Sequence, residues 1–293
     1  MSTPTSFLAR ASADARLAAE RRAAHLPLAE VQRAVAAAPP ARGFRAALAG
    51  GAPAGGAPDL AGPSARRGVT LIAEVKRRSP SKGDLRPDLD PAALASAYRA
   101  GGAAAVSVLT EPLHFGGSPE DLQKVRAAVD VPVLRKDFVT IPYQLWEARA
   151  WGADAVLLIV AALDAPLLAD LLAEAGAAGL DALVEVHTRE EAAVAADAGA
   201  SLIGVNARDL ATLAVDLRRF ATVREALPSG ATLVAESGIR TRADVEAVAA
   251  AGAHAVLVGE TLVLAADPEA AVGELLGRAR NGPGGEDPAT KEG

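Results

Sequence analysis

The sequence contains no cysteine, which excludes disulfides, thiolate metal sites and a cysteine nucleophile. Aromatic residues are only 3% of the 293, although 51% are hydrophobic, so alanine and aliphatic side chains must supply most of any core. No apolar stretch reaches the ~20 residues that a bilayer-spanning helix needs. The opening "MSTPTSFLARASADARLAAERR" also lacks the uninterrupted apolar core of a signal peptide. The cytosol is therefore the expected compartment. Four scattered histidines argue against a dedicated metal cage. Basic excess is missing too. A net charge of −6 disfavours a nucleic-acid surface, yet a few lysines and backbone dipoles could still hold a small anion.

What is present is a rhythm. Helical segments end in Gly plus a small residue and lead into short β-branched runs, as in "AYRAGGAAAVSVL", "EARAWGADAVLLIV" and "VEAVAAAGAHAVLVGE". Gly just past a helix, followed by a buried strand, is the expected junction of a helix with a parallel sheet. Apolar runs fall near residues 70–75, 104–109, 131–135, 155–160, 182–186, 202–206, 231–235 and 254–259. Eight such runs alternating with helices predict an α/β fold, a (β/α)8 TIM barrel over residues 69–280. A doubly wound open sheet is the alternative, but no G-x-G-x-x-G follows the first strand. Residues 5–48 read as helical, and 1–48 form an N-terminal extension. A Gly/Pro-rich linker spans 49–68, and a tail of disordered composition spans 281–293.

Barrels of this kind carry their chemistry at the C-terminal ends of the strands. In "IAEVKRRSPSKGDL" an alternating strand puts Glu74 and Lys76 on one face, with Val75 opposite. Other ends read "LTEPLHFGGS", "LRKDF", "LVEVH", "GVNARDL", "AESGI" and "VGE". Any one lysine there is readily explained as a solvated loop charge. Together, lysines from the first and third strands and carboxylates from the first, fifth and seventh would converge on one mouth. Burial and opposite charges could then tune them for acid–base work. "SGI" (Ser237–Ile239) and "VGE" (Val258–Glu260) stand where such barrels commonly bind phosphate, and Ser79 could add a hydroxyl.

These motifs resemble the indole-3-glycerol phosphate synthase family along nearly the whole chain. The Glu-x-Lys with Ser-Pro-Ser of the first strand carries most of the likeness, and "LRKDF", "LVEVH", "RDL" and "ESGI" follow in order. The resemblance implies a barrel with extra helices across its catalytic face. It implies conversion of 1-(2-carboxyphenylamino)-1-deoxyribulose 5-phosphate into indole-3-glycerol phosphate, carbon dioxide and water, without cofactor or metal. By the same likeness Lys136 is the general acid of ring closure. Lys76 holds the substrate carboxylate and shares later proton transfers, Glu185 assists dehydration, and Glu74 and Asn206 shape the site. Phosphate would lie against Ser79, Ser237, Gly238, Gly259 and Glu260, with Arg208 and Glu236 as supporting charges. Phe115, Phe138 and Leu157 would wall the aromatic ring. Arg78, where the family usually has a small residue, and Ala207, after the strand's Asn, depart from its pattern.

Three other functions fit parts of the pattern. Phosphoribosylanthranilate isomerase shares the barrel, but its usual acid–base pair includes a cysteine. A Schiff-base lyase would use a mouth lysine, and an inactive paralogue would only bind. The expected partner is a phosphorylated small molecule, with no nucleic acid or membrane, and the chain is expected to be a monomer or weak homodimer. The N-terminal helices are expected to serve substrate closure rather than barrel stability.

Overall fold

The computed structural model of the protein describes residues 6–50, 68–209 and 214–278. Most of the 49–68 linker and all of the 281–293 tail lie outside the described residues. The barrel strands are β1 (Thr70–Val75), β2 (Ala105–Leu109), β3 (Val133–Lys136) and β4 (Ala155–Ile159). They continue as β5 (Asp181–Val186), β6 (Leu202–Asn206), β7 (Thr232–Glu236) and β8 (Ala255–Val258). Every neighbouring pair is parallel, and β8 returns to β1 to close the ring. The observed strands match the apolar runs to within a residue or two. The largest shift is in β3, which starts at Val133, just after Pro132, a residue with no N–H to offer the ladder.

Alternation along each strand sorts the core into two layers. Ile72, Leu134, Leu157, Leu183, Leu202, Val234 and Leu257 fill the barrel interior. Leu71, Ala73, Val75, Val106, Val108, Ile203 and Val205 point outward beneath the helices. Because the chain has few aromatics, these branched side chains are what close the barrel.

Local chemistry starts each outer helix. Helices Pro91–Gly101, Pro119–Ala128 and Ala165–Ala177 have Asp90, Ser118 and Asp164 as caps, each with Pro in the first turn. Thr188 caps Arg189–Asp197, and Thr241 caps Arg242–Ala250 in a reciprocal box with Asp244. Side-chain oxygens thus satisfy N–H groups that no helical carbonyl can reach. After the first of these helices Gly102 turns the chain at φ 101°, a left-handed conformation that strains any side chain.

The N-terminal extension does not act as one unit over the mouth. Helix α1 (Phe7–His25) lines the mouth with Phe7 and Leu8. Helix α2 (Leu28–Ala36) packs beside the outer helix Tyr143–Ala150, burying Val31 with Tyr143. Helix α3 (Phe44–Leu48) reaches the opposite end, where Phe44 and Leu48 are fully buried among the interior residues. Polar contacts fix it to the starts of strands. The Arg42 N–H donates to Asp154 (2.7 Å), the Arg45 N–H donates to Asp181 (2.9 Å), and the Thr70 hydroxyl donates to the Leu48 carbonyl (3.1 Å). Its third helix therefore plugs the floor of the barrel, where the expectation gave the extension no part in barrel stability, while α1 does reach the mouth.

Candidate active site

Strand parity brings the charged groups to the mouth. Glu74 continues the inward face of Thr70 and Ile72, and Lys76 follows one step beyond β1. Lys136 follows Leu134, Glu185 follows Leu183, and Glu236 follows Val234, all at the C-terminal ends of strands. The Lys136 ammonium stands 3.5 Å from Glu236, 3.7 Å from Glu74 and 3.8 Å from Glu185. Glu74 bridges both cations, because its other oxygen accepts a 2.6 Å hydrogen bond from Lys76. Glycines make this packing possible. A Cβ on Gly204 would sit 2.0 Å from Glu236 Oε1, and one on Gly259 would sit 2.4 Å from Glu74 Oε1.

Burial and charge compete at each group. Burial works against the Lys136 ammonium, but Glu236, Glu74 and Glu185 outweigh it and raise its pKa above the usual lysine value. Burial likewise favours neutral Glu74, yet Lys76 and Lys136 hold its pKa below the carboxylate range. Glu236 resolves the other way. Its burial, reinforced by Glu185 and Glu74 and only partly offset by Lys136, pushes it up to about 8. Both Glu236 carboxyl oxygens are buried without a hydrogen-bond partner among the described residues. The mouth thus sets a Lys136 held in its charged form against a Glu236 whose burial favours its neutral form.

A third layer lies behind Glu185. His187, at the end of the same strand, is buried, with Nε2 3.5 Å from Glu185 Oε1. Its Nδ1 is 3.1 Å from Glu191 Oε2, and its backbone N–H donates to the same oxygen at 2.6 Å. Burial disfavours the charged ring, but Glu191, Glu185 and Glu236 prevail and raise its pKa.

One wall of the mouth is apolar. Phe115, Phe138 and Leu157 line it, joined by Phe7 and Leu8 of α1 and by Leu109 and Ile159. Phe138 meets the Phe7 ring at 6.2 Å and the Phe115 ring at 6.3 Å. Glu111 positions Phe115 by accepting the N–H groups of Leu113, His114 and Phe115. The opposite rim is polar. Ser79, Ser237, Gly238, Gly259 and Glu260 line it beside Lys76, and Asn206 and Arg208 stand nearby. Ser237 and Gly238 adopt successive positive φ values of 67° and 81°, turning the chain after β7. The Ser79 hydroxyl is buried and has no hydrogen-bond partner among the described residues. The Glu260 carboxylate is 3.7 Å from Lys82, and Asn206 Oδ1 accepts the Arg208 N–H at 3.0 Å. Arg78, the first departure, pairs with Asp84 across a small exposed hairpin, and Ala207 is buried with its N–H on the Glu236 carbonyl.

Sequence reasoning missed a supporting network under this wall. Arg135, one residue from Lys136, points outward and is 1% exposed. It donates to Asp137 (2.9 Å), to the Gln144 carbonyl (2.9 Å) and to Glu147 (3.2 Å), and lies over the Trp151 ring. Asp137 in turn accepts the Phe138 N–H at 2.8 Å, and Arg22 of α1 donates to Glu147 at 2.8 Å. The only local signal was parity within "LRKDF", which sends adjacent cations to opposite faces. Phe7 and Leu8 gave no signal, since "SFLAR" reads as an ordinary helix start. Among the described residues no three His, Asp or Glu side chains form a metal-holding group. The carboxylates surround an ammonium instead.

Comparison with known proteins bears on this arrangement. A family model described as indole-3-glycerol phosphate synthase matches residues 8–275. A relative of that name from Kineococcus radiotolerans is 59% identical over 211 residues, covering 72% of this chain and 77% of its own. Another from Streptomyces griseus is 52% identical over 255 residues, covering 87% and 89%. Among solved structures, 3-hexulose-6-phosphate synthase has a TM-score of 0.56 and covers 71% of this chain and 99% of its own. At 20% identity that likeness concerns the fold alone. With its length matched from the first helix to the last, and with two lysines and three carboxylates gathered at the barrel mouth, the chain belongs to the indole-3-glycerol phosphate synthase family.

Proposed function

We propose that the barrel mouth closes the indole ring of 1-(2-carboxyphenylamino)-1-deoxyribulose 5-phosphate, releasing carbon dioxide and water. The observation that carries this reading is a charged, buried Lys136 held among three carboxylates, between an apolar wall and a polar rim. The wall of Phe115, Phe138 and Leu157 suits an aromatic ring. The rim of Ser79, Ser237, Gly238 and Gly259, with the main-chain N–H of Glu260, suits phosphate. Lys76, between them, suits the ring carboxylate, and Arg208 and Asn206 complete the polar side.

The steps then follow from charge. As the aromatic carbon attacks the ketone, Lys136 delivers a proton to the carbonyl oxygen and becomes a neutral amine. The carboxylate departs as carbon dioxide and leaves its electron pair to restore the aromatic ring. Glu185 next protonates the new hydroxyl, whose C–O bond breaks with its electron pair leaving in water. The adjacent ring carbon yields its proton to the Lys136 amine, and that C–H pair becomes the new double bond. Glu74, held ionised by the two lysines, keeps Lys136 loaded with its proton between turnovers.

The competing lyase is disfavoured by the same charge, since a Schiff base needs a neutral lysine and the acidic groups around Lys136 raise its pKa. Cytoplasmic location is part of the proposal, supported by a phosphorylated substrate too charged to cross a bilayer unaided. A monomer or weak homodimer acting on this small molecule, without nucleic acid or membrane, completes it. The test is direct: the purified chain is mixed with synthetic substrate and indole fluorescence is followed. Growth of the signal is expected, with no adduct trapped by borohydride. No signal from folded protein would overturn the reading.

A further inference from the structure

The reaction just proposed takes up one proton per turnover. A carboxylate enters and neutral carbon dioxide leaves, so the added proton ends in the products. In the steps above Lys136 recovers its proton from the ring carbon, whereas Glu185 gives one to the departing water. Glu185 must therefore be recharged, yet its side chain is 4% exposed beneath the substrate space. Some group has to bring it a proton.

His187 is placed to do so. The Glu191 carboxylate accepts the backbone N–H of His187 and faces its Nδ1, so Nδ1 must carry a hydrogen. Nε2 then faces Glu185 Oε1 at 3.5 Å, buried and without any hydrogen-bond partner among the described residues. A bare Nε2 lone pair against a carboxylate would set two acceptors face to face. One proton between them removes the conflict, whether it sits on nitrogen or oxygen. The titratable groups acting on the ring are Glu185 on its own strand, Glu191 on the following helix and Glu236 across the mouth, and the Lys136 ammonium lies beyond Glu185.

We propose that Glu185 and His187 form a proton relay, in which Nε2 of His187 holds the proton that Glu185 delivers during dehydration and Glu191 fixes Nδ1 as the permanent N–H. His187 is a positioning residue, acting on substrate only through Glu185. In each cycle the shared proton passes from Nε2 to Glu185, and the Glu185 O–H bond breaks toward the leaving hydroxyl, which leaves a neutral ring with its Nδ1–H intact beside an ionised Glu185; once product has left, solvent in the open mouth returns one proton to the pair through Glu185. The relay rests on the proposed reaction for its purpose, but its shared proton does not.

Two measurements separate these. Nitrogen-15 NMR of the imidazoles, with His187 assigned through His187→Asn, requires no turnover. It should show Nδ1 protonated at every pH and a titration midpoint that falls in Glu185→Gln and in Glu191→Gln. An Nε2–H tautomer, or a midpoint indifferent to both substitutions, would overturn the relay even if the enzyme is active. The second is rapid-quench kinetics on the substrate. His187→Asn should close the ring at close to the wild-type rate but lose water ~10–100-fold more slowly, with the His187 ionisation gone from the pH profile of that step. An unchanged pH profile, or equal slowing of both steps, would overturn it. Failure of the wild-type chain to make product, with the imidazole titration as described, would instead refute the reaction and leave the shared proton standing.

Discussion

Phe44→Ala tests the claim that the N-terminal extension completes the barrel floor. Phe44 is fully buried, touches the interior layer and lies at the end opposite the lysines. Removing its ring forfeits the transfer free energy of a large apolar side chain and leaves a cavity among Leu48, Ile72 and their neighbours. Such substitutions cost about 3–5 kcal/mol. A barrel of this size loses about 2 °C of midpoint per kcal/mol, so the transition should fall by about 6–10 °C at a fixed scan rate. Turnover per folded molecule should stay within about twofold below the transition, because the floor and the mouth are separate ends of the barrel. Calorimetry and the indole fluorescence assay on the same preparation check both numbers. A shift under about 2 °C would refute the plug, and equal loss of turnover and stability would refute the separation of floor from mouth. Deletion of residues 1–48 should accordingly give an insoluble or unfolded product rather than a weakly binding barrel.

Lys76→Met should raise the KM as well as lower turnover, by about 10–100-fold in affinity for one lost charged hydrogen bond, as steady-state kinetics would show. Glu185→Gln should pass ring closure and stall before dehydration, so that rapid quench captures a decarboxylated, still-hydroxylated intermediate. Glu236 predicts a pH effect on stability. Its folded pKa of about 8 lies above the ordinary 4.5, so the native state holds an extra proton between those values and loses stability as pH rises through them. Glu236→Gln should make that decline shallower in denaturant titrations across the same window.

Much of the mouth was legible because strand parity is rigid. Glu74 and Lys76, two residues apart, had to share a face, and each apolar run ended where the barrel opens. The floor was not legible, because "FRAAL" carries no pattern that says which end of a barrel a short helix will fill. Arg135 was hidden by its neighbour: both read as strand-end cations, and only the register separates a buried strut from an ammonium at the mouth. Gly204 gave no warning either, since the need for a missing Cβ appears only when Glu236 folds against it. His187 stood in plain view within "LVEVH", but its meaning depends on Glu191, one helical turn later and outside the strand.

The central claim is that Lys136 gives up a proton as the ring closes. It is tested most directly by the rate of indole-3-glycerol phosphate formation in folded Lys136→Met, measured by fluorescence beside the wild-type chain. Turnover should fall by at least ~100-fold, the usual scale of general acid catalysis. Binding of a substrate analogue should persist within about an order of magnitude, because the phosphate rim lies on other strands. Near-wild-type turnover in that folded variant would contradict the account.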